Sequence, residues 1–289
     1  MARFLRCWLL ALGLLGGLTA EAASPVWVLR GENNTVYLAG SIHLLRPDDA
    51  QLPEAFERAY ADAEAVVMEI DLDDLDEAQI QRWMIERGTF PEGQTLRQVL
   101  GEARHRDLAA ALAPLGLPVE AMQQLEPWTI ALTLTQLQLI RLGFDPESGV
   151  ENQLERRARS DRKEILGLET LEEQLGLLDE LSYEEQVRFL ELTVAELRDI
   201  GEQVDELLAA WRSGDIERLS SLLGEEYRKF PRLYEALVSA RNARWMPRVE
   251  GLLRENRDYL VVVGALHLVG RDGLLELARR RGLDPQPLH

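Results

Sequence analysis

The sequence predicts an α/β fold: a small central sheet built from both chain ends, with a large helical middle section packed on it. Three observations carry this. Short β-rich apolar runs lie near the two ends of the chain, around residues 26–39, 65–70 and 259–264. Between about residue 74 and residue 240 the apolar residues recur at helical spacing instead. No low-complexity linker, coiled-coil repeat or basic arm separates the two kinds of pattern.

Residues 1–22 read as a signal peptide. Arg3 and Arg6 precede an apolar run over 7–18, followed by the small-residue pattern Ala20-Glu21-Ala22. A run of about a dozen residues is too short to span a bilayer core of roughly 30 Å. Cleavage is expected after Ala22 or Ala23, leaving a mature domain over 23–289 in the periplasm or outside the cell, with no stable membrane insertion. Cys7 is the sole cysteine and leaves with the signal, so the mature chain has no disulfide, thiolate ligand or cysteine nucleophile. The net charge of −18 argues against nucleic acid and anionic membrane surfaces as partners.

The mature chain opens with two β-rich runs, 26–30 and 35–39, around the turn Gly31-Glu32-Asn33-Asn34, and reads as a hairpin. Residues 53–63 read as a helix with proline at its start. The run Ala65-Val66-Val67-Met68-Glu69-Ile70 reads as a buried strand, with a carboxylate where an apolar residue is expected. Helical pattern follows, broken near 88–91, 114–118, 143–149, 214 and 231. Residues 164–168 read as a further short strand, 241–254 as helix, 259–264 as the clearest strand, 272–281 as a last helix and 284–288 as an edge strand.

One local event occurs twice. A β-rich run ends in Gly40-Ser41-Ile42-His43, and another in Gly264-Ala265-Leu266-His267. Ligands of open α/β sheets bind beyond the carboxyl ends of the strands, so both imidazoles, and Glu69 near the end of a third strand, are expected at one sheet edge. Two imidazoles and a carboxylate can hold a catalytic divalent metal with a position left for water. Without a metal, the same set can serve as general base, orienter and electrostatic stabiliser. A charged Glu69 in an apolar strand costs several kcal/mol unless it is paired or metal-bound. Of the other histidines, His105 lies in the charged stretch Glu102-Ala-Arg-His-Arg-Asp107 and reads as a solvated helix face, and His289 ends the chain.

The chain resembles the TraB/GumN family, which includes the Tiki metalloproteases and is distantly similar to erythromycin esterases and the ChaN haem-binding lipoproteins. The resemblance rests on Tyr37-Leu-Ala-Gly-Ser-Ile-His43, Val67-Met-Glu69-Ile-Asp71, Gly149-Val-Glu151, Leu168-Glu-Thr170 with Gln174, Arg241-Asn242 with Trp245, and Val263-Gly-Ala-Leu-His-Leu-Val-Gly270. It implies that His43, Glu69 and His267 are metal ligands or catalytic groups. It implies also that Arg241 holds a substrate carboxylate or stabilises an oxyanion, and that Asn242 and Glu169 lie at the substrate. An ion pair to a helix carboxylate competes as the role of Arg241, and a helix-capping or helix-dipole role as that of Glu169. Where relatives often carry Gly-(Val/Ile)-Asp, this chain has Glu151, one methylene longer, which leaves a contact by residue 151 open.

The function expected is a periplasmic or secreted metal-dependent hydrolase, peptidase-like, using manganese, cobalt or zinc on a peptide or small-molecule substrate. The alternative is a non-catalytic haem-, metal- or peptide-binding protein of the same fold.

Overall fold

A computed structural model describes residues 24–71, 77–197, 199–228 and 230–289. The signal peptide read over residues 1–22 lies outside the described residues. Six strands form one mixed sheet: β1 (Val26–Arg30), β2 (Thr35–Ser41), β3 (Ala65–Met68), β4 (Glu164–Gly167), β5 (Tyr259–Gly264) and β6 (Gln286–Pro287), in the order β4-β3-β5-β2-β1-β6. β1 and β2 form the expected antiparallel hairpin, with Arg30 opposite Thr35. β6 adds to β1 antiparallel at the edge. The inner strands β3, β5 and β2 run parallel, with β4 parallel to β3.

That topology follows from composition. Every residue of β2, β3 and β5 is buried, as parallel strands covered on both faces require. The register sets Ser41 beside Gly264 and Met68 beside Val262, so the carboxyl ends of three strands distant in sequence meet at one edge.

Helix α1 (Glu54–Asp62) links β2 to β3. The middle section supplies α2 (Glu77–Gly88), α3 (Leu96–Leu112), α4 (Pro127–Arg141), α5 (Val150–Asp161), α6 (Leu171–Asp179), α7 (Tyr183–Glu196), α8 (Ile200–Ser213), α9 (Ile216–Arg228) and α10 (Pro231–Tyr234). A π-helical turn at Glu235–Ser239 leads into α11 (Ala240–Leu252). A short α12 (Ala265–Leu268) follows β5, and α13 (Leu274–Arg280) precedes β6. Capping boxes start three of the helices, at Thr95 with Gln98, Thr170 with Glu173 and Ser182 with Glu185.

The main core surrounds the sheet and includes Trp211, Trp245 and Phe56, all without exposed surface. A second core lies mainly among α3, α4 and α7, away from the sheet. His105 belongs to that helical region. The expected solvated face is corrected: the ring is 2% exposed and its Nε2 lies 2.7 Å from the Gln123 amide nitrogen. The charged neighbours in sequence fall on the outer face of α3 while position 105 turns inward.

Candidate functional site

The two Gly-x-x-His segments and the Glu69 strand meet at the carboxyl edge of the sheet. The glycines act there through space, since neither has a positive φ among the described residues. A Cβ on Gly40 would sit 3.2 Å from the Ala265 Cα, so glycine allows α12 to pack onto the end of β2. A methyl group on Gly264 would lie 3.4 Å from Glu69 Oε1, 3.5 Å from His43 Nε2 and 3.7 Å from His267 Cδ2. The three side chains therefore surround one small space beside Gly264.

Glu69 is 6% exposed and follows β3 directly. Its Oε1 accepts the Gly264 N–H at 2.7 Å. Its Oε2 accepts from Arg241 at 2.5 Å and from the Gln174 amide at 3.0 Å. The Arg241 guanidinium is itself buried and shared. Its Nε donates to Glu169 Oε1 at 2.7 Å, and one terminal nitrogen lies 3.1 Å from His267 Nε2. It also lies over the Trp245 ring, 4.6 Å from the centroid. This buried pairing is how the strand tolerates a charged Glu69.

His267 is held at both nitrogens. The Asn242 amide nitrogen donates to the carbonyls of His267 and Asp272, at 3.1 and 2.8 Å. Its Oδ1 is thus the atom facing His267 Nδ1, at 2.8 Å. Nδ1 accordingly carries the hydrogen, and the Nε2 lone pair accepts from Arg241.

His43 differs in every respect. Its side chain is 61% exposed, and its Nδ1 lies 2.7 Å from Glu151 Oε1. Ser41 Oγ donates to that same carboxylate oxygen.

The electrostatics separate the two rings. Burial drives His267 down to about 3, so it is neutral at physiological pH. The Glu151 carboxylate draws His43 up to about 9, a pull that the exposed face of the ring tempers. Burial alone would raise Glu69, but the facing His267, Arg241 and His43 outweigh it and bring it to about 2. Since His267 is held neutral, Arg241 and the protonated His43 are the counter-ions among these. Glu151 is likewise lowered: burial opposes its ionisation, and His43 and Ser41 favour it more strongly.

These placements revise several readings. Asn242 and Glu169, expected at the substrate, are 0% and 5% exposed and bonded to protein groups: Asn242 to His267, and Glu169 to Arg241, Trp245 and Arg244. Glu169 is not a helix cap either, because Thr170 caps α6. Arg241 is 5% exposed and pairs with two carboxylates at strand ends, Glu69 and Glu169, and not with a helix carboxylate, the competing role weighed for it. Glu151 and Ser41 enter the site although no role was read for them. Gly149-Val-Glu151, quoted for the resemblance, was the available signal.

The donors are a poor match to one metal ion shared by His43, Glu69 and His267. His267 Nε2 and Glu69 Oε1 lie 3.8 Å apart, within reach of a common ion. Yet the Nε2 lone pair is engaged by Arg241, a cation that already flanks both residues. Among the described residues no group of three or more His, Cys, Asp or Glu is arranged to hold an ion. In this arrangement the set does not fit a three-ligand site.

Fold and site define the class: an α/β protein that sets two unlike histidines and a buried glutamate–arginine pair at the carboxyl edge of a mixed sheet. The chain belongs to the TraB/PrgY/gumN family, whose model matches residues 25–287. It is 24% identical over 247 residues to the uncharacterized protein YbaP of Escherichia coli (strain K12), spanning 86% of this chain and 89% of the relative. YbaP of Shigella flexneri matches to the same extent, 24% over 247 residues. An uncharacterized protein of Treponema pallidum (strain Nichols) is 23% identical over 291 residues, spanning 96% of this chain and 86% of the relative. No solved structure matches the chain.

Proposed function

We propose that this protein is a hydrolase of peptide bonds, with esters a less favoured substrate, and that His43 transfers the proton. The observation that carries the proposal is the convergence of His43 Nε2, Glu69 Oε1 and His267 on one space beside Gly264. Two titratable rings with proton affinities pushed in opposite directions are the usual mark of divided acid–base roles.

In this reading, water beside Gly264 attacks the scissile carbonyl carbon while its proton passes to His43 Nε2. The C–N bond then breaks, and the proton passes on to the leaving nitrogen. Glu69 supplies a fixed negative charge beside the protonated His43. Arg241, Gln174 and the Gly264 N–H hold Glu69 in place, and the neutral His267 neither competes for the proton nor adds a repelling charge. Because Glu151 raises the affinity of His43, base action should grow with pH, with a midpoint above 6.5 and no higher than about 9.

The compartment proposed is the periplasm or the exterior, which rests on the sequence of residues 1–22. Amino-terminal sequencing of exported material beginning near Ala23 or Ser24 checks it.

The decisive experiment incubates the purified mature protein and its His43→Ala variant with a mixture of peptides and follows new termini by mass spectrometry. Chelator, manganese, cobalt and zinc arms run in parallel. Cleavage by the parent in chelator, lost in the variant, supports the reading. Cleavage that appears only with an added ion replaces it with the metal-dependent reaction the family resemblance implies, with Arg241 moved aside. No cleavage in any arm removes the hydrolase proposal.

A further inference from the structure

We infer that Glu151 is a positioning residue for the reaction: it holds His43 by Nδ1 so that Nε2 is presented to the space beside Gly264. The inference rests on the hydrolase reading above but can be judged without it.

The geometry begins in the backbone. The Val150 N–H donates to the Ile42 carbonyl at 3.1 Å, and the Asp145 N–H to the Leu45 carbonyl at 2.9 Å. The chain before α5 is therefore zipped along the segment that carries His43. Gly149 makes this approach possible, since a Cβ there would lie 2.0 Å from the His43 carbonyl oxygen, a backbone atom that cannot swing away. Glu151, one residue into α5 beyond Val150, then brings its carboxylate to His43 Nδ1.

The carboxylate is itself fixed. Ser41 Oγ donates to Oε1, the oxygen that also meets His43 Nδ1. Oε2 is shut away from solvent. Taking one oxygen of a carboxylate out of water is costly, and a surface ion pair of ordinary worth does not justify it. Its return is directional: it selects the Nδ1–H form of an imidazole that is otherwise exposed and free to turn. The extra methylene of glutamate over aspartate gives the carboxylate the reach to meet the ring across the close backbone contact.

The test compares parent, Glu151→Ala and Glu151→Asp. Proton–nitrogen NMR reads the His43 ring, and peptide cleavage reads kcat and KM separately. The parent is expected to show a low-field Nδ1–H resonance, lost in Glu151→Ala and retained at least partly in Glu151→Asp. kcat should fall about 100- to 10,000-fold in Glu151→Ala at little-changed KM, the upper figure being the cost of losing the carboxylate that orients the imidazole of a Ser-His-Asp triad, with partial recovery in Glu151→Asp. Two results overturn the inference: the resonance persists in a folded Glu151→Ala, or it is lost while kcat stays at the parent value. If no variant, parent included, cleaves peptide, the hydrolase reading fails and the NMR comparison alone decides whether Glu151 orients the ring.

Discussion

Replacing Arg241 with methionine removes the cation from the centre of the site while keeping an unbranched apolar side chain over Trp245. The guanidinium contacts Glu69 and Glu169, and those residues are 6% and 5% exposed. Glu169 keeps Trp245 Nε1 at 3.1 Å and Arg244 at 3.3 Å. Glu69 keeps only the Gly264 N–H and the Gln174 amide as hydrogen-bond donors, both uncharged, with the exposed His43 as its remaining facing cation. Breaking a buried ion pair from one side costs about 3–5 kcal/mol, which for a chain of this size lowers the melting temperature by about 5–9 °C. The loss should depend on pH with a definite sign. Without its counter-ion Glu69 rises above its unfolded pKa, so the penalty is full at high pH and is relieved as pH falls and the carboxyl takes a proton. Calorimetry of parent and variant at pH 8 and pH 5 should therefore show a gap that narrows at the lower pH. Adding Glu69→Gln to Arg241→Met should recover part of the loss, because the stranded charge goes too. A variant melting within about 1 °C of the parent, or an equal gap at both pH values, would refute the ion-pair account.

The two histidines should respond differently to alanine: His43→Ala should melt within a few degrees of the parent because the ring is largely exposed, whereas His267→Ala should lose about 2–3 kcal/mol for its two hydrogen bonds and its volume. Both residues close a Gly-x-x-His segment, and burial of His267 is what separates them; denaturant titration reads the difference. Stability of the parent should fall as pH drops from 6.5 toward about 3, because unfolded His267 takes up a proton that the folded ring refuses, and Glu69 adds to the loss between 4.5 and about 2. His43 works in the other direction, with a contribution fully present below 6.5 and lost as pH rises to about 9, so melting curves across pH should peak near 6.5 and His267→Asn should flatten the acid limb. Gly264→Ala should fold and melt like the parent, since its methyl group makes only ordinary contacts, yet it should abolish turnover by filling the space between His43, Glu69 and His267; unchanged activity would move the reaction elsewhere.

Local sequence determined much of this protein. The hairpin, the three buried strands and the helical middle are written in residue periodicity and turn chemistry, because each depends on neighbours a few positions away. The repeated Gly-x-x-His and the carboxylate out of place at 69 marked the site for the same reason: a polar residue ending an apolar run is visible without the fold. What each group does was decided by partners that lie far away in the chain. Arg241 reaches Glu69 across 172 positions, and Gly264 reaches it across 195, so the sequence alone left Glu69 open between pairing and metal binding. His43 and His267 stand in the same motif, yet one is 61% exposed beside Glu151 and the other is 5% exposed between Asn242 and Arg241. Proton affinity depends on burial and on charges a few ångströms away, and only the tertiary structure fixes either of these.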